Sequence, residues 1–317
     1  IKFPPGQAGC AGPERCSAFP YYRELGVEVF QYQLPWAEIA PTRPANPGDP
    51  DDPAYHWSSE LQFAVDRARA AGMSVMFMLT HSPGWANGGR SPKWAPNPAD
   101  FAAFAAAASR KFPGVRHWEI WGESNRAFGF LPQGRRGARR YARILDAAYR
   151  ALKDVRRRNV VIGGMTLSGG PPGEVTPVPR WLRNLRGKGG KPPRMDWFGH
   201  NPYDFRYPNI KQKPISSFRG LNDVDTLWQE VKRRYRRAGR RPPRRLWLSE
   251  WTIQSDHDSY AFPFSVSRRQ QAKRLRAGFR LARKLPYVKG MGWYQLSDYP
   301  PGRTSPTWGL IAYNGER

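Results

Sequence analysis

Cysteine is nearly absent from this chain of 317 residues. Its two copies, Cys10 and Cys16, stand close together in a Pro/Gly-rich stretch near the N-terminus. They have no company of metal-ligand type, so a zinc site is not expected. A small disulfide, implying an oxidising compartment, and a pair of free thiols are the two readings left; the disulfide sets the expectation of a secreted or cell-surface protein. The first residue is Ile rather than Met, as after removal of a leader or trimming of the chain. No apolar run approaches the ~20 residues of a membrane span. No Gly-rich turn that would cradle a phosphate is present, nor a Ser-His-Asp arrangement with motif context, so no cofactor is expected. Acidic residues are scarce, 25 against 52 basic ones.

That imbalance leaves a net charge of +27, carried by 40 Arg and 12 Lys. Such an excess attracts polyanions: acidic polysaccharides, anionic cell-wall polymers, nucleic acid or lipid head groups. The runs Arg135-Arg136, Arg139-Arg140, Arg156-Arg157-Arg158 and Lys232-Arg233-Arg234 fall on or beside helix-like stretches. They read as solvated outer helix faces, turned away from any active end. No nucleic-acid module is recognisable, and a basic surface alone does not make one. Aromatics are abundant, with 13 Trp and 14 Tyr, more Trp than a core needs and suited to a cleft that stacks sugar rings.

Strand-like and helix-like stretches alternate, the mark of an α/β fold with parallel strands. Strands are expected at 27–33, 74–79, 116–121, 160–164, 197–200, 245–249 and 290–294. Helices are expected at 58–71, 97–111, 137–155, 178–185, 221–238 and 267–285. An eighth strand at 1–3, followed by the cysteine loop and a helix near 17–25, would complete a closed (β/α)8 barrel (TIM barrel) forming one domain over 1–317. A doubly wound open sheet is the competing architecture. Loops at 41–53, 169–179 and 188–193 are Pro/Gly-rich and read as barrel loops. There is no internal repeat.

Barrel enzymes carry their reactive groups at the C-terminal ends of the strands. Two carboxylates interrupt apolar runs there, Glu123 and Glu250. Strand alternation puts Glu119, Trp121 and Glu123 on one face, and Leu246, Leu248 and Glu250 on another. If both faces point inward, the two Glu meet across the mouth from the fourth and seventh strands. Paired carboxylates are what glycosidic cleavage needs: one protonates the leaving oxygen, the other attacks the anomeric carbon or activates water.

The segment Trp118-Glu119-Ile120-Trp121-Gly122-Glu123-Ser124-Asn125 resembles the WEIWNEPN segment of clan A glycoside hydrolases, family 39 and its relatives above all. Leu248-Ser249-Glu250-Trp251 is similar to the clan's nucleophile segment, and Gly199-His200-Asn201-Pro202-Tyr203 to the region whose Tyr orients the nucleophile. Trp293 is similar to the aromatic floor of the sugar site. Gln33-Leu34-Pro35-Trp36 and His81-Ser82-Pro83-Gly84-Trp85 resemble the family's second and third strand ends. The resemblance spans nearly the whole chain. It implies a retaining glycosidase with Glu123 as acid/base and Glu250 as nucleophile. One departure stands out: Gly122 replaces the Asn that usually contacts the sugar's 2-hydroxyl, and Ser124 replaces the following Pro. An unusual sugar, a substitute donor (Asn125 or Asn201) or loss of activity are the three consequences considered.

Gln33, Trp36, His81, Trp85, Asn125, His200, Tyr203, Trp251 and Trp293 are therefore the expected carbohydrate contacts. Glu119 is expected to be buried and paired with Arg23 or Arg116, while Asp256 and Asp258 read as solvated. The expected partner is a polysaccharide or glycoconjugate, with an acidic or cell-wall polymer and endo action favoured, and the expected state is a monomer. A glycan-binding barrel without activity, a transglycosylase using the same carboxylates, and a polyanion binder are the alternatives.

Overall fold

The structure, a computed structural model, describes residues 18–260 and 262–312. Cys10, Cys16 and the strand expected at 1–3 lie outside them. Seven parallel strands form one sheet in sequential order: β1 (Val29–Pro35), β2 (Ser74–Thr80), β3 (His117–Ile120), β4 (Val160–Leu167), β5 (Trp197–Asn201), β6 (Arg245–Trp251) and β7 (Val288–Trp293). The main intervening helices are α3 (Ser59–Ala70), α5 (Pro98–Lys111), α6 (Gly134–Val155), α7 (Val178–Asn184), α8 (Val224–Arg237) and α9 (Arg268–Lys284). Short α1 (Phe19–Glu24), α2 (Trp36–Ile39) and α4 (Gly84–Asn87) complete the set. All seven confident strands fall where the alternation of patterns places them. The helix expected over 221–238 is divided, a 3-10 turn at Leu221–Asp223 preceding α8. Helices α2 and α4 sit in loops and have too few residues for a periodic signal.

Helix starts follow local chemistry. Ser58 accepts a hydrogen bond from the Leu61 amide, Asn97 from Ala99 with Pro98 following, and Ser267 from Gln270. The sheet is curled. Gln31 of β1 donates through Nε2 to Ser249 Oγ of β6 at 2.9 Å, and Ser249 donates to Glu119 Oε2 of β3 at 3.3 Å. Strands separated by four others in the sheet touch only if the sheet wraps round an interior.

That interior holds Met76, Ile162, Met165 and Trp247, with Gln31, Glu119 and Ser249 as a polar layer above. Between sheet and helices lies the larger apolar layer, including Phe30, Phe77, Trp118, Ile120, Val161, Phe198, Leu246 and Leu248. Tyr141 of α6 is buried and donates to the Ile120 carbonyl at 2.7 Å, clamping α6 to the end of β3. Among the described residues no helix is long and apolar enough to cross a membrane.

The layering corrects the face assignment for β6. Leu246 and Leu248 face the helices, and Trp247 and Ser249 face the interior. Simple alternation would then turn Glu250 outward. A register shift against β7 between Leu248 and Trp251 breaks the alternation, as a bulge does. On β3 the break comes from left-handed backbone at Trp121 (φ 67°) and Glu123 (φ 42°). Trp121 thereby swings into the helix layer against Phe101 and Phe130, although it shares alternation with inward-facing Glu119.

Candidate active site

Glu123 and Glu250 stand at the C-terminal end of the sheet, from the loop after β3 and from β6. Asn201, the last residue of β5, donates through Nδ2 to Glu123 Oε1 at 3.3 Å. Tyr203, two residues further, donates its hydroxyl to Glu250 Oε2 at 3.1 Å. The charge of each carboxylate is felt at the buried Tyr203 hydroxyl, where burial and then these charges raise the pKa, and again at Tyr294, just past β7, where burial and the neighbouring Tyr299 come first and the two carboxylates after. Two carboxylates and two tyrosines thus share one small space.

Burial raises the Glu250 carboxyl from an ordinary 4.5 to about 7, with the Glu123 charge adding to the rise and the Tyr203 hydrogen bond and Arg126 opposing it. The consequence for stability has a definite sign. Below pH ~4.5 both folded and unfolded chains hold the proton and Glu250 costs nothing. As pH climbs toward 7 the unfolded chain releases its proton while the folded one must retain or expel it at a cost, so stability is lost over that window. Glu250→Gln removes the ionisable group. Its melting temperature is expected above that of the parent at pH 8, with the gap closing by pH 4; a gap independent of pH in calorimetry would contradict this.

Sequence reasoning missed Arg126. Its guanidinium pairs with Glu123 Oε2 at 2.8 Å and lies over the ring of Phe128, which is 78% exposed. Nothing in the residue's isolated position after the motif signals this contact; it depends on the turn that brings residue 126 back over 123. Tyr294 was also missed, hidden beside Trp293.

The other expected contacts divide. Tyr203 lies beside Glu250, its hydroxyl on the carboxylate. Trp293 is half-buried at the end of β7, its indole donating to the Trp308 carbonyl at 2.9 Å. His81 ends β2 with φ 55°. Gln33 is exposed on β1. Trp85 is half-buried, bonded to the Ala40 carbonyl and faced by Arg43.

Four expectations fail. Trp36 is wholly buried, stacked on Phe104 at 5.1 Å, and cannot be a sugar platform. Trp251 is equally buried, edge-on to Trp293 and packed where Gly278 leaves room on α9. His200 is buried, accepting from Thr166 and donating to the Arg219 carbonyl; burial drops it to about 4, so it is a neutral core residue. Asn125 spends its amide on the Leu167 and Thr176 carbonyls and its oxygen on the Leu167 amide, leaving no donor for a sugar. Trp36→Ala is accordingly expected to cost about 3–5 kcal/mol of stability, read as a shift in urea midpoint.

Among the described residues Glu119 has no Arg partner. It is buried, accepts from Ser249 and keeps its other oxygen unpaired, and burial lifts its pKa well above the ordinary carboxylate range. Asp256 pairs with Arg268 and Asp258 accepts from Ser265, so neither is merely solvated. Ser124 has a clear role where the family pattern has Pro. Its amide donates to the Met165 carbonyl and its hydroxyl to Gly164, tying the motif to the irregular end of β4; Pro could not supply that amide. At Gly122 a Cβ would meet the flexible Met78 sulfur at 3.1 Å, so the space does not forbid a side chain there. Among the described residues no group of His, Cys, Asp and Glu could hold a metal.

No family model matches the sequence, and no curated protein matches it. Solved structures do. A family 39 glycoside hydrolase from the gut symbiont Bacteroides cellulosilyticus is 18% identical with a TM-score of 0.63, covering 94% of this chain and 57% of its own. A glucosidase from Croceicoccus marinus is 15% identical with a TM-score of 0.65, covering 99% and 63%. A family 1 β-glucosidase from Thermotoga maritima is 14% identical with a TM-score of 0.59, covering 93% and 80%. The chain spans about three fifths of the length of the first two. The resemblance seen in the motifs therefore has a counterpart in the fold, which this chain shares with glycoside hydrolases of families 39 and 1. At these identities the chemistry has to be argued from the site.

Proposed function

We propose that the protein is a retaining glycoside hydrolase that cleaves O-glycosidic bonds by double displacement. The observation that carries this reading is the convergence of Glu123 and Glu250, each held by its own donor from the end of β5. Glu250 attacks the anomeric carbon while Glu123 gives its proton to the leaving oxygen, forming a glycosyl ester and a free alcohol. Glu123, now ionised, takes a proton from water, which attacks the anomeric carbon and releases Glu250. Tyr203 positions the Glu250 carboxylate. Of the two candidate substitutes for the 2-hydroxyl contact that Gly122 cannot provide, Asn201 is the one beside Glu123, through its Nδ2.

Arg126 occupies Glu123 Oε2 at 2.8 Å and has to move aside before a leaving oxygen can reach that carboxyl atom. An acidic glycan supplies a competing anion, which favours that substrate class over a neutral one. Secretion follows from the disulfide reading of Cys10 and Cys16, and endo action from the long loops at the cleft.

A second reading, a glycan-binding barrel impaired in acid catalysis, draws on Gly122 and on the same ion pair. An activated 2-fluoro glycoside series, with peptide mass mapping, separates them. Labelling of Glu250 supports the reading; labelling of Glu123 reverses the two roles. Absence of any label or turnover, with glycan binding intact, leaves the impaired barrel. Added sugar acceptors that divert product from hydrolysis would mark a transglycosylase.

A further inference from the structure

Helix α6 begins in an unusual way. Its first turn contains no acidic residue, its N-cap Gln133 makes no capping bond, and Arg135, Arg136, Arg139, Arg140 and Arg143 crowd its first three turns. Among the described residues none of the five has a carboxylate partner. They stand in i, i+3 and i, i+4 relations, where like charges repel. Arg135 and Arg136 also sit in the first turn, at the positive end of the helix dipole, where cations are disfavoured. Arg140 is half-buried, and burial followed by the charges of Arg136, Arg90 and Arg143 lowers its pKa. The five guanidinium groups line an open concavity of about 460 Å³.

The position of this cluster differs from what the basic runs imply on sequence alone. α6 follows the loop that carries Glu123, so its start lies at the catalytic end of the sheet, not away from it. Arg126 lies between the cluster and the carboxylates along that loop. By contrast, Arg157 and Arg158 follow the other end of α6 and Arg237 closes α8, so these three occupy the opposite end of the barrel.

We propose that the arginine concavity at the start of α6 is a binding site for an acidic polysaccharide, gripping carboxylates or sulfates of a chain that runs on toward the cleft. Mutual repulsion at a helix start that lacks acids is relieved when anions enter. Planar guanidinium groups pair two-pronged with carboxylate or sulfate. The glycan nature of the anion rests on the function proposed above; the anion site itself does not. Among the described residues no element is built to read a nucleic-acid groove, and the concavity is the size of a few sugar rings.

The test uses the Glu250→Gln protein, so turnover plays no part. Polygalacturonate, dextran sulfate, neutral dextran and double-stranded DNA are titrated over a range of salt. Two variants of equal charge change are compared: Arg136→Gln/Arg139→Gln/Arg143→Gln at the cluster and Arg157→Gln/Arg158→Gln/Arg237→Gln at the far end. The cluster variant is expected to bind the acidic polysaccharide preferred by the parent at least tenfold more weakly at low salt. Its slope of log Kd against log salt is expected to be shallower by about 2, at about 0.7 per lost contact. The far-end variant is expected to change less than twofold. The cluster variant is also expected to melt no lower than the parent, since repelling charges have been removed. Equal weakening by both variants, tighter binding of DNA than of either acidic polysaccharide, or no polyanion binding at all overturns the proposal. Because the Glu250→Gln protein does not turn over, failure here leaves the glycosidase reading standing, and failure of turnover in the parent leaves this site standing.

Discussion

Glu250→Gln is expected to lower kcat/KM by about 10⁴-fold or more on any substrate the parent cleaves, while leaving the fold intact and raising stability at neutral pH. The magnitude follows from the role: without a nucleophile the glycosyl ester cannot form, and residues that act covalently cost this much when removed. The gain in stability follows from the site. Glu250 is a carboxyl held against its solvation preference, with its pKa raised to about 7 by burial and by Glu123. Gln keeps the shape and can still accept from Tyr203, but carries no charge to desolvate. Opposite movement of activity and melting temperature in one variant separates a reactive group from a structural one, since removing a structural hydrogen-bond partner lowers both. If instead turnover falls less than tenfold, Glu250 is not the nucleophile and the roles drawn from the strand ends are wrong. The Tyr203→Phe protein offers a graded comparison. Loss of the 3.1 Å donor leaves Glu250 less well oriented and its pKa higher, so the acid limb of kcat/KM is expected to move to higher pH.

The strands and most helices could be read from residue patterns because β-branched and aromatic runs alternate cleanly with capped, amphipathic segments. Ser58, Asn97 and Ser267 announce their helices locally. Glu123 and Glu250 could be singled out as candidates because polar residues at the ends of apolar strands are rare. What could not be read is which way side chains point where periodicity fails. The shift after Leu248 and the positive φ at Trp121 and Glu123 are tertiary adjustments, and period-two reasoning carries across neither. The same limit misplaced the tryptophans. Trp36 and Trp251 occupy motif positions at strand ends, yet their rings turn into the helix layer, where Phe104 and the gap at Gly278 receive them. Asn125 and His200 were misjudged for a related reason: carbonyls freed by the irregular end of β4 and by the chain near Arg219 claim their polar groups. Arg126 was invisible because an ion pair across one turn depends on the loop's curvature.

Glu123→Ala is expected to divide substrates by leaving group. General acid assistance is worth roughly 10²- to 10⁴-fold. It matters most when the departing alcohol is a poor leaving group, as in a polysaccharide, and least for a dinitrophenyl glycoside that departs unaided. The variant is therefore expected to lose about 10³-fold or more on glycan while the first step on the activated aryl glycoside stays within about tenfold of the parent. With that substrate the second step becomes limiting, because no base takes the proton from water. A small anionic nucleophile such as azide needs no such base, and is expected to restore turnover and yield a glycosyl azide of retained configuration. Arg126 sharpens the comparison. It pairs with Glu123 at 2.8 Å, at the edge of the cleft. Arg126→Gln is expected to raise KM on an acidic glycan, by withdrawing the cation that the substrate's own charge would engage, and to leave KM on neutral aryl glycosides little changed. If Glu123→Ala lowers both substrate classes equally and azide restores nothing, Glu123 is not the proton donor. The Arg126 pair would then be a structural contact at the edge of the cleft.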